Sequence, residues 1–249
     1  MSRKSILLLI ACAALLLLLT LSCSSIERKL LFYPTHNSAD NGLAPWIRNG
    51  DVIGYARPAA SPSNVWLMIH GNGGQASDRA YALGSFSPQD SVFVLEYPGY
   101  GNRKGTPSKK TFNRAAEEAY RFLRESHPGI PVCVVAESIG SGPASCLAML
   151  TPPPDKLVLI VPFDKLSLVA KDHFPSFVVA LLLRDNWDNV EALSTYKGPI
   201  EIFAAEADTI IAPTHAKALS AAIPSSKFTV VKGGHNDWSS QPEVRIRNP

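Results

Sequence analysis

The stretch "PVCVVAESIGSGPASCLAML" (Pro131 to Leu150) joins an uninterrupted apolar run to a serine set among small residues, and that serine to a second apolar run. Its first part, "PVCVVAE" (Pro131 to Glu137), does not alternate with polar residues, which predicts a strand covered on both faces. Its last part, "IGSGPASCLAML" (Ile139 to Leu150), predicts a central buried helix with Pro143 in its first turn, where proline is tolerated. Ala136, Gly140 and Gly142 carry little or no side chain, so the chain can turn sharply between strand and helix. Such a turn lifts the Ser138 hydroxyl above the sheet, beside the positive end of the next helix. Serine is equally one of the strongest helix N-caps. The rest of the chain has to decide between nucleophile and cap.

Outward from that stretch the pattern repeats. "NVWLMIH" (Asn64 to His70), "SVFVLEY" (Ser91 to Tyr97), "KLVLIV" (Lys156 to Val161), "PIEIFAAE" (Pro199 to Glu206) and "KFTVVKG" (Lys227 to Gly233) are further continuous apolar runs. Between them lie "TFNRAAEEAYRFLRES" (Thr111 to Ser126), with Thr111 as cap and an apolar side, and "PTHAKALSAAI" (Pro213 to Ile223), which opens on a proline suited to a first helical turn. Strand and helix in alternation imply an α/β fold: a doubly wound, mostly parallel sheet with helices on both faces. "DVIGYARP" (Asp51 to Pro58) is expected as an antiparallel edge strand. Hydrophobic residues make up 46% and charged residues 18% of the 249, so a single globular domain over 24–249 is expected. The formal charge is +3, and removing Arg3 and Lys4 leaves 22 of the 24 basic residues against 21 acidic ones. That balance carries no electrostatic footprint for nucleic acid.

Ligands in open parallel sheets bind beyond the carboxyl ends of the strands, and chemistry-bearing residues collect there. A serine hydroxyl needs a base within reach and a third group to orient that base. Asp208 in "AEADTIIAP" and His235 in "GGHND" each follow a later strand, and the order serine, acid, histidine is that of α/β-hydrolases. Glu206, Asp164 and Asp237 compete with Asp208 for the orienting role. Glu137 is expected to pair beneath the turn. The six histidines show no H-E-x-x-H spacing, and the glycine-rich stretches lack a phosphate-loop Lys-Ser/Thr. Neither a metal nor a cofactor is expected.

Taken together, "KLLFYPT" (Lys29 to Thr35), "HGNGG" (His70 to Gly74), "YPGYGNRKGTPS" (Tyr97 to Ser108), "AESIGSGPA" (Ala136 to Ala144), "PFDKLSLVAKDHFP" (Pro162 to Pro175), "EADTIIAP" (Glu206 to Pro213) and "GGHND" (Gly233 to Asp237) resemble the serine hydrolases of the α/β-hydrolase superfamily, in particular the depalmitoylase-like domain proteins. Alanine stands at position 136 where that family's pattern has glycine. The resemblance implies an α/β-hydrolase fold with at most a small lid, and a serine hydrolase acting on a carboxylic ester or thioester. It implies Ser138, His235 and Asp208 as the triad and the backbone N–H groups of Asn72 and Ile139 as the oxyanion hole. His70 is expected to bond its own loop. A small acyl substrate and a monomer follow. A catalytically silent binding protein on the same fold, and a serine peptidase or amidase, are the alternatives; the tail "NDWSSQPEVRIRNP" after His235 is short for the final helix of related hydrolases. Pro162 to Gly198 has room for one or two helices. Within it, "HFPSFVVALLLRD" (His173 to Asp185) is expected to pack on the sheet, or else to line an acyl pocket.

The N-terminus reads separately. A basic "MSRKS", an uncharged apolar run Ile6 to Leu19 and the small-residue ending "TLSC" (Thr20 to Cys23) follow the order of an export signal. The ending resembles a bacterial lipobox, with Cys23 as the lipidation candidate, although Thr20 stands where leucine is usual. Because no charge intervenes between Lys4 and Glu27, an uncleaved membrane anchor is the alternative. Either of these leading options tethers the domain to a membrane; plain secretion is the third alternative. Cys133 and Cys146 are expected as buried free thiols.

Overall fold

Four apolar runs whose every residue is buried form the centre of the molecule. The computed structural model describes residues 25–37 and 42–248; the candidate export segment 1–23 and Cys23 lie outside the described residues. In chain order the strands are β1 (Tyr33–Pro34), β2 (Ala44–Arg48), β3 (Asp51–Arg57), β4 (Val65–Ile69), β5 (Gly73–Gly74), β6 (Ser91–Leu95), β7 (Val132–Glu137), β8 (Leu157–Ile160), β9 (Ile200–Ala205) and β10 (Lys227–Val231). The helices are α1 over residues 25–31, α2 (Lys109–Ser126), α3 (Ser141–Leu147), α4 (Leu166–His173), α5 (Ser176–Leu182), α6 (Asn189–Leu193) and α7 (Pro213–Ala222).

Eight strands form one sheet in the order β10-β9-β8-β7-β4-β6-β3-β2. Every pairing from β10 to β6 is parallel, and β3 runs antiparallel to both its neighbours. The expected antiparallel strand at 51–58 is present but is not the edge, because β2 covers its outer side. The hairpin joining them turns at Asn49 and Gly50, with φ of 54° and 85°. Asn-Gly is the dipeptide that such tight two-residue turns favour, a signal sufficient to have found β2 from sequence.

Alternate residues of the strands feed two cores. Leu67, Ile69, Val134 and Ala136 join α2, α3 and α7 on one face. Trp66, Met68, Cys133 and Val135 face Ala76, Phe86, Trp238 and Ile246 on the other. Removing a large apolar side chain from water contributes about 1.5–3 kcal/mol, so a strand buried on both faces uses every residue. The second face is covered by a 3-10 segment, Ala76–Ser85, and by the C-terminal tail, which forms only a 3-10 turn at Trp238–Ser240. The tail is held instead by buried Trp238 and Ile246, and the Ile246 N–H donates to Ser85 O at 2.9 Å.

Helix α2 starts two residues before the expected Thr111, because the Ser108 hydroxyl accepts from the Thr111 N–H at 3.1 Å and is the true cap. Between β8 and β9 lie the short helices α4, α5 and α6, an insertion too small for a separate cap domain. Helix α5 does not pack on the sheet as expected. It lies against α4 and α1, with Val179 buried but Phe177 75% exposed. Apolar periodicity reports that a face needs covering, not which neighbour covers it. Cys133 is buried and Cys146 half-buried, both free; burial pushes the Cys133 thiol up to about 12 and leaves it a small hydrophobe.

Candidate active site

Strand β7 ends at Glu137, and the next residue turns the chain. Ser138 has φ of 55°, a left-handed conformation that costs a non-glycine residue on the order of 1–3 kcal/mol and persists only where its surroundings enforce it. They do so from two sides. The Ser138 carbonyl accepts from the Ser141 hydroxyl at 2.7 Å, and Ser141 Oγ in turn accepts from Asn189 Nδ2 of α6 at 3.0 Å. Gly140 presses against the end of β4, where any Cβ would collide with the carbonyl oxygens of Ile69 and His70. Alanine at 136 is fully buried within β7 and leaves the turn intact.

The Ser138 hydroxyl meets a histidine from far along the chain. Oγ lies 2.9 Å from His235 Nε2, and His235 Nδ1 lies 2.7 Å from Asp208 Oδ2. Asp208 is buried, and its other oxygen accepts the N–H groups of Ile210 and Ile211 at 2.9 Å each, which fixes the carboxylate plane. The loop carrying His235 is shaped by Asp237, whose Oδ2 accepts the Gly234 N–H at 2.8 Å.

None of the other three candidate carboxylates bonds His235. Glu206 is exposed, Asp237 organises its own loop, and Asp164 bonds His215 Nδ1 at 2.8 Å. His215 Nε2 reaches Asp172 of α4 at 2.8 Å, so one imidazole ties α7 to α4 and to the loop after β8. Burial lowers the His215 pKa, but hydrogen bonds to Asp172 and Asp164 outweigh it and raise the imidazole above its ordinary 6.5. A raised folded-state pKa stabilises the fold fully below the unfolded value and loses that contribution as pH rises through the folded value. His215→Gln is therefore expected to lower the urea midpoint more at pH 5.5 than at pH 9. Equal shifts at both pH values would refute a charged clamp.

Beneath the turn, Glu137 is buried and accepts from the Gly71 N–H at 2.8 Å, the Tyr81 hydroxyl at 2.9 Å and Trp238 Nε1 at 3.0 Å. Arg79 Nε stands 3.2 Å from Oε1, the oxygen that accepts the Gly71 N–H. Burial pushes this carboxyl up, yet the Arg79 guanidinium, the Gly71 N–H and the Tyr81 hydroxyl together hold it below the usual glutamate range. A buried carboxylate thereby joins β7, the 70–74 loop and the C-terminal tail. His70 is fully buried; its Nδ1–H donates to Gly71 O at 2.7 Å, and Tyr97 Oη donates to His70 O at 2.6 Å. Tyr100 Oη holds the Asn72 carbonyl at 2.8 Å, Arg79 donates to Gly73 O, and β5 pairs with β1. The "KLLFYPT" and "HGNGG" segments thus brace one another.

Ser138 and His235 open into a cleft of about 540 Å³ lined also by Asn72, Arg79, Val161 and Ile210. Ile139, following Ser138 in the turn, is buried. Arg79, Tyr81, Trp238 and Val161 were not identified from sequence. The first three belong to no motif, and Val161 is singled out only by its φ of 46°, strain that a β-branched residue rarely carries. Among the described residues no group of three His, Cys, Asp or Glu side chains is placed to hold a metal.

A mostly parallel eight-stranded sheet with a strained serine turn at its centre and a histidine and an acid at later strand ends is the α/β-hydrolase fold. The comparisons agree on that class. The chain is similar to an uncharacterized protein of Mycobacterium tuberculosis, 29% identical over 228 residues covering 85% of this chain and 81% of that one. It is also similar to the lysophosphatidylserine lipase ABHD12 of Danio rerio, 28% identical over 65% of this chain and 47% of the lipase, so it spans about half that protein's length. Among solved structures, an esterase of Pyrococcus furiosus superposes with a TM-score of 0.62 at 12% identity, over 84% of this chain and 95% of the esterase. An α/β-hydrolase of Vibrio vulnificus does so with a TM-score of 0.61 at 19% identity, over 73% of this chain and 70% of that one. No family model matches the chain. The similarities support a hydrolase.

Proposed function

We propose that this chain is a serine hydrolase that cleaves a carboxylic ester or thioester through an acyl-enzyme. The observation that carries the reading is the Ser138–His235–Asp208 relay, with contacts of 2.9 and 2.7 Å. Ser138 Oγ attacks the acyl carbonyl while His235 Nε2 takes its proton; Asp208 accepts the Nδ1–H, holding the tautomer and stabilising the imidazolium. The backbone N–H groups of Asn72 and Ile139 receive the oxyanion, each contributing about 2.7–4 kcal/mol to the transition state. His235 then protonates the leaving alcohol or thiol. Water, deprotonated by the same imidazole, attacks the acyl-enzyme and releases the carboxylic acid and Ser138.

A cleft of about 540 Å³ has room for a small acyl substrate, and the similarity to a lysophosphatidylserine lipase supports a lipid-derived acyl ester. Fluorophosphonate treatment of the purified chain should give one covalent adduct, which peptide mass spectrometry maps to Ser138. No adduct, or an adduct on another residue, overturns the reading. A series of esters of increasing acyl length then sets the preferred substrate.

Residues 1–23 supply the membrane tether in this reading, through a lipid on Cys23 or as an uncleaved anchor. Among the described residues no helix is long and apolar enough to cross a membrane. Metabolic fatty-acid labelling that survives Cys23→Ala would exclude the lipid.

A further inference from the structure

Helices α1 and α5, and Phe174 at the α4–α5 junction, carry large apolar side chains into solvent. Ile26 and Leu30 are each 47% exposed, Phe174 45%, Leu181 60% and Phe177 75%. Positions four apart share a helix face, which pairs Ile26 with Leu30 and Phe177 with Leu181. Between the helices runs a groove lined by Leu30, Leu31, Phe174, Val178, Val179 and Leu182. At about 100° per residue, Phe177 and Leu181 fall beside Val178 and Leu182, so the exposed stripe of α5 continues the groove.

This apolar surface adjoins the catalytic cleft through two hydrogen bonds. Tyr33, which lines the cleft and is 53% exposed, donates its hydroxyl to Leu30 O at 2.7 Å. His173, at the end of α4, donates from Nε2 to the carbonyl of Ile210 at 2.9 Å, and Ile210 lines the cleft and is 50% exposed. The mouth above Ser138 and the α1–α5 surface therefore belong to one edge of the molecule.

Two observations choose the occupant. In the sequence the uncharged apolar run from Ile6 to Leu19 ends shortly before residue 25, the first described residue of α1, which brings this edge close to wherever that run resides. The charges around it are also predominantly basic, the acids on this side being exposed Asp172, half-buried Asp185 and buried Glu27. Lys29, Lys171 and Arg184 are exposed, and Arg28 is half-buried. Glu27 turns inward to accept the N–H groups of Arg184 and Asp185, and Asp172 is held by His215. Apolar side chains within a basic surround match an anionic membrane interface.

We infer that α1 and α5 form an interfacial docking face, on which Ile26, Leu30, Phe174, Phe177 and Leu181 enter the surface of an anionic bilayer and hold the mouth of the Ser138 cleft against it. The acyl substrate then passes from the lipid leaflet past Tyr33 and Ile210 without crossing water. This rests on the reading of residues 1–23 as a membrane tether.

The test uses the full chain with a Phe177→Trp reporter, reconstituted into vesicles of phosphatidylcholine and phosphatidylglycerol with or without brominated acyl chains. Co-flotation reports the tether, and quenching by brominated lipid reports the face. Emission of the reporter should fall well beyond that of the wild type, whose Trp46, Trp66, Trp187 and Trp238 are all buried. Flotation without added quenching overturns the docking face and leaves the tether standing. Failure to float overturns both. Shielding of the reporter that follows protein density instead of brominated lipid assigns the face to a second copy and overturns the lipid assignment. In parallel, Phe177→Asp/Leu181→Asp should lose about tenfold or more turnover of a long-chain ester embedded in vesicles, since interfacial binding scales with buried apolar area. It should retain hydrolysis of a short water-soluble ester; equal turnover of the embedded ester by variant and wild type overturns the inference. Absence of fluorophosphonate labelling would sink the hydrolase reading alone, because quenching does not depend on turnover.

Discussion

Ser138→Ala is expected to lower kcat for ester hydrolysis by on the order of 10⁶-fold while the protein stays folded. Ser138 Oγ contacts His235 Nε2 at 2.9 Å, and alanine removes the only atom able to form the acyl-enzyme there. The strained turn itself survives, because it is held by the Ser141 hydroxyl on the Ser138 carbonyl and by the close fit of Gly140 against β4. A residual rate of about 10³–10⁴ over water is expected from the oxyanion donors and substrate binding. Steady-state kinetics beside circular dichroism check both halves. Activity within a few-fold of wild type would move the nucleophile elsewhere.

Asp208→Asn should cost about 10⁴-fold in kcat with an unchanged fold. Asp208 accepts from His235 through one oxygen and from the Ile210 and Ile211 N–H groups through the other. In the variant the amide oxygen satisfies the backbone donors, and its NH2 then faces His235 Nδ1. That forces the proton onto Nε2, the atom that must receive it from Ser138. Asp164→Asn is the matched control. Asp164 bonds His215, not His235, so its kcat should stay within a few-fold while its urea midpoint falls. If Asp164→Asn lost activity as Asp208→Asn did, the acid assignment would be wrong.

The grouping of Ser138, Asp208 and His235 was legible because each follows a strand and the sheet aligns those strand ends on one edge. "HGNGG" was legible because few sequences other than a close-approaching loop place three glycines around one asparagine. Helix and strand positions followed from apolar runs, which report burial directly. Misreadings arose where local pattern does not name a partner. Asp51 to Pro58 was readable as antiparallel, but the strand beyond it depends on Asn49–Gly50, two residues without apolar character. The apolar character of His173 to Asp185 was plain, yet a seven-residue helix can lie on the sheet or beside it with equal local preference.

The chain by itself determined the α/β class, the order of serine, acid and histidine, and the choice of small residues at the turn, since these depend on periodicity, steric room and strand ends. Only the tertiary structure decided which of four carboxylates faces His235. Hydrogen bonding is directional and short-ranged, so Asp208 at 2.7 Å from Nδ1 differs from its rivals only in three dimensions. It likewise decided that Glu137, the last residue of β7, stays ionised in the interior, because three donors from Gly71, Tyr81 and Trp238 and the Arg79 guanidinium surround it, and folding alone gathers them.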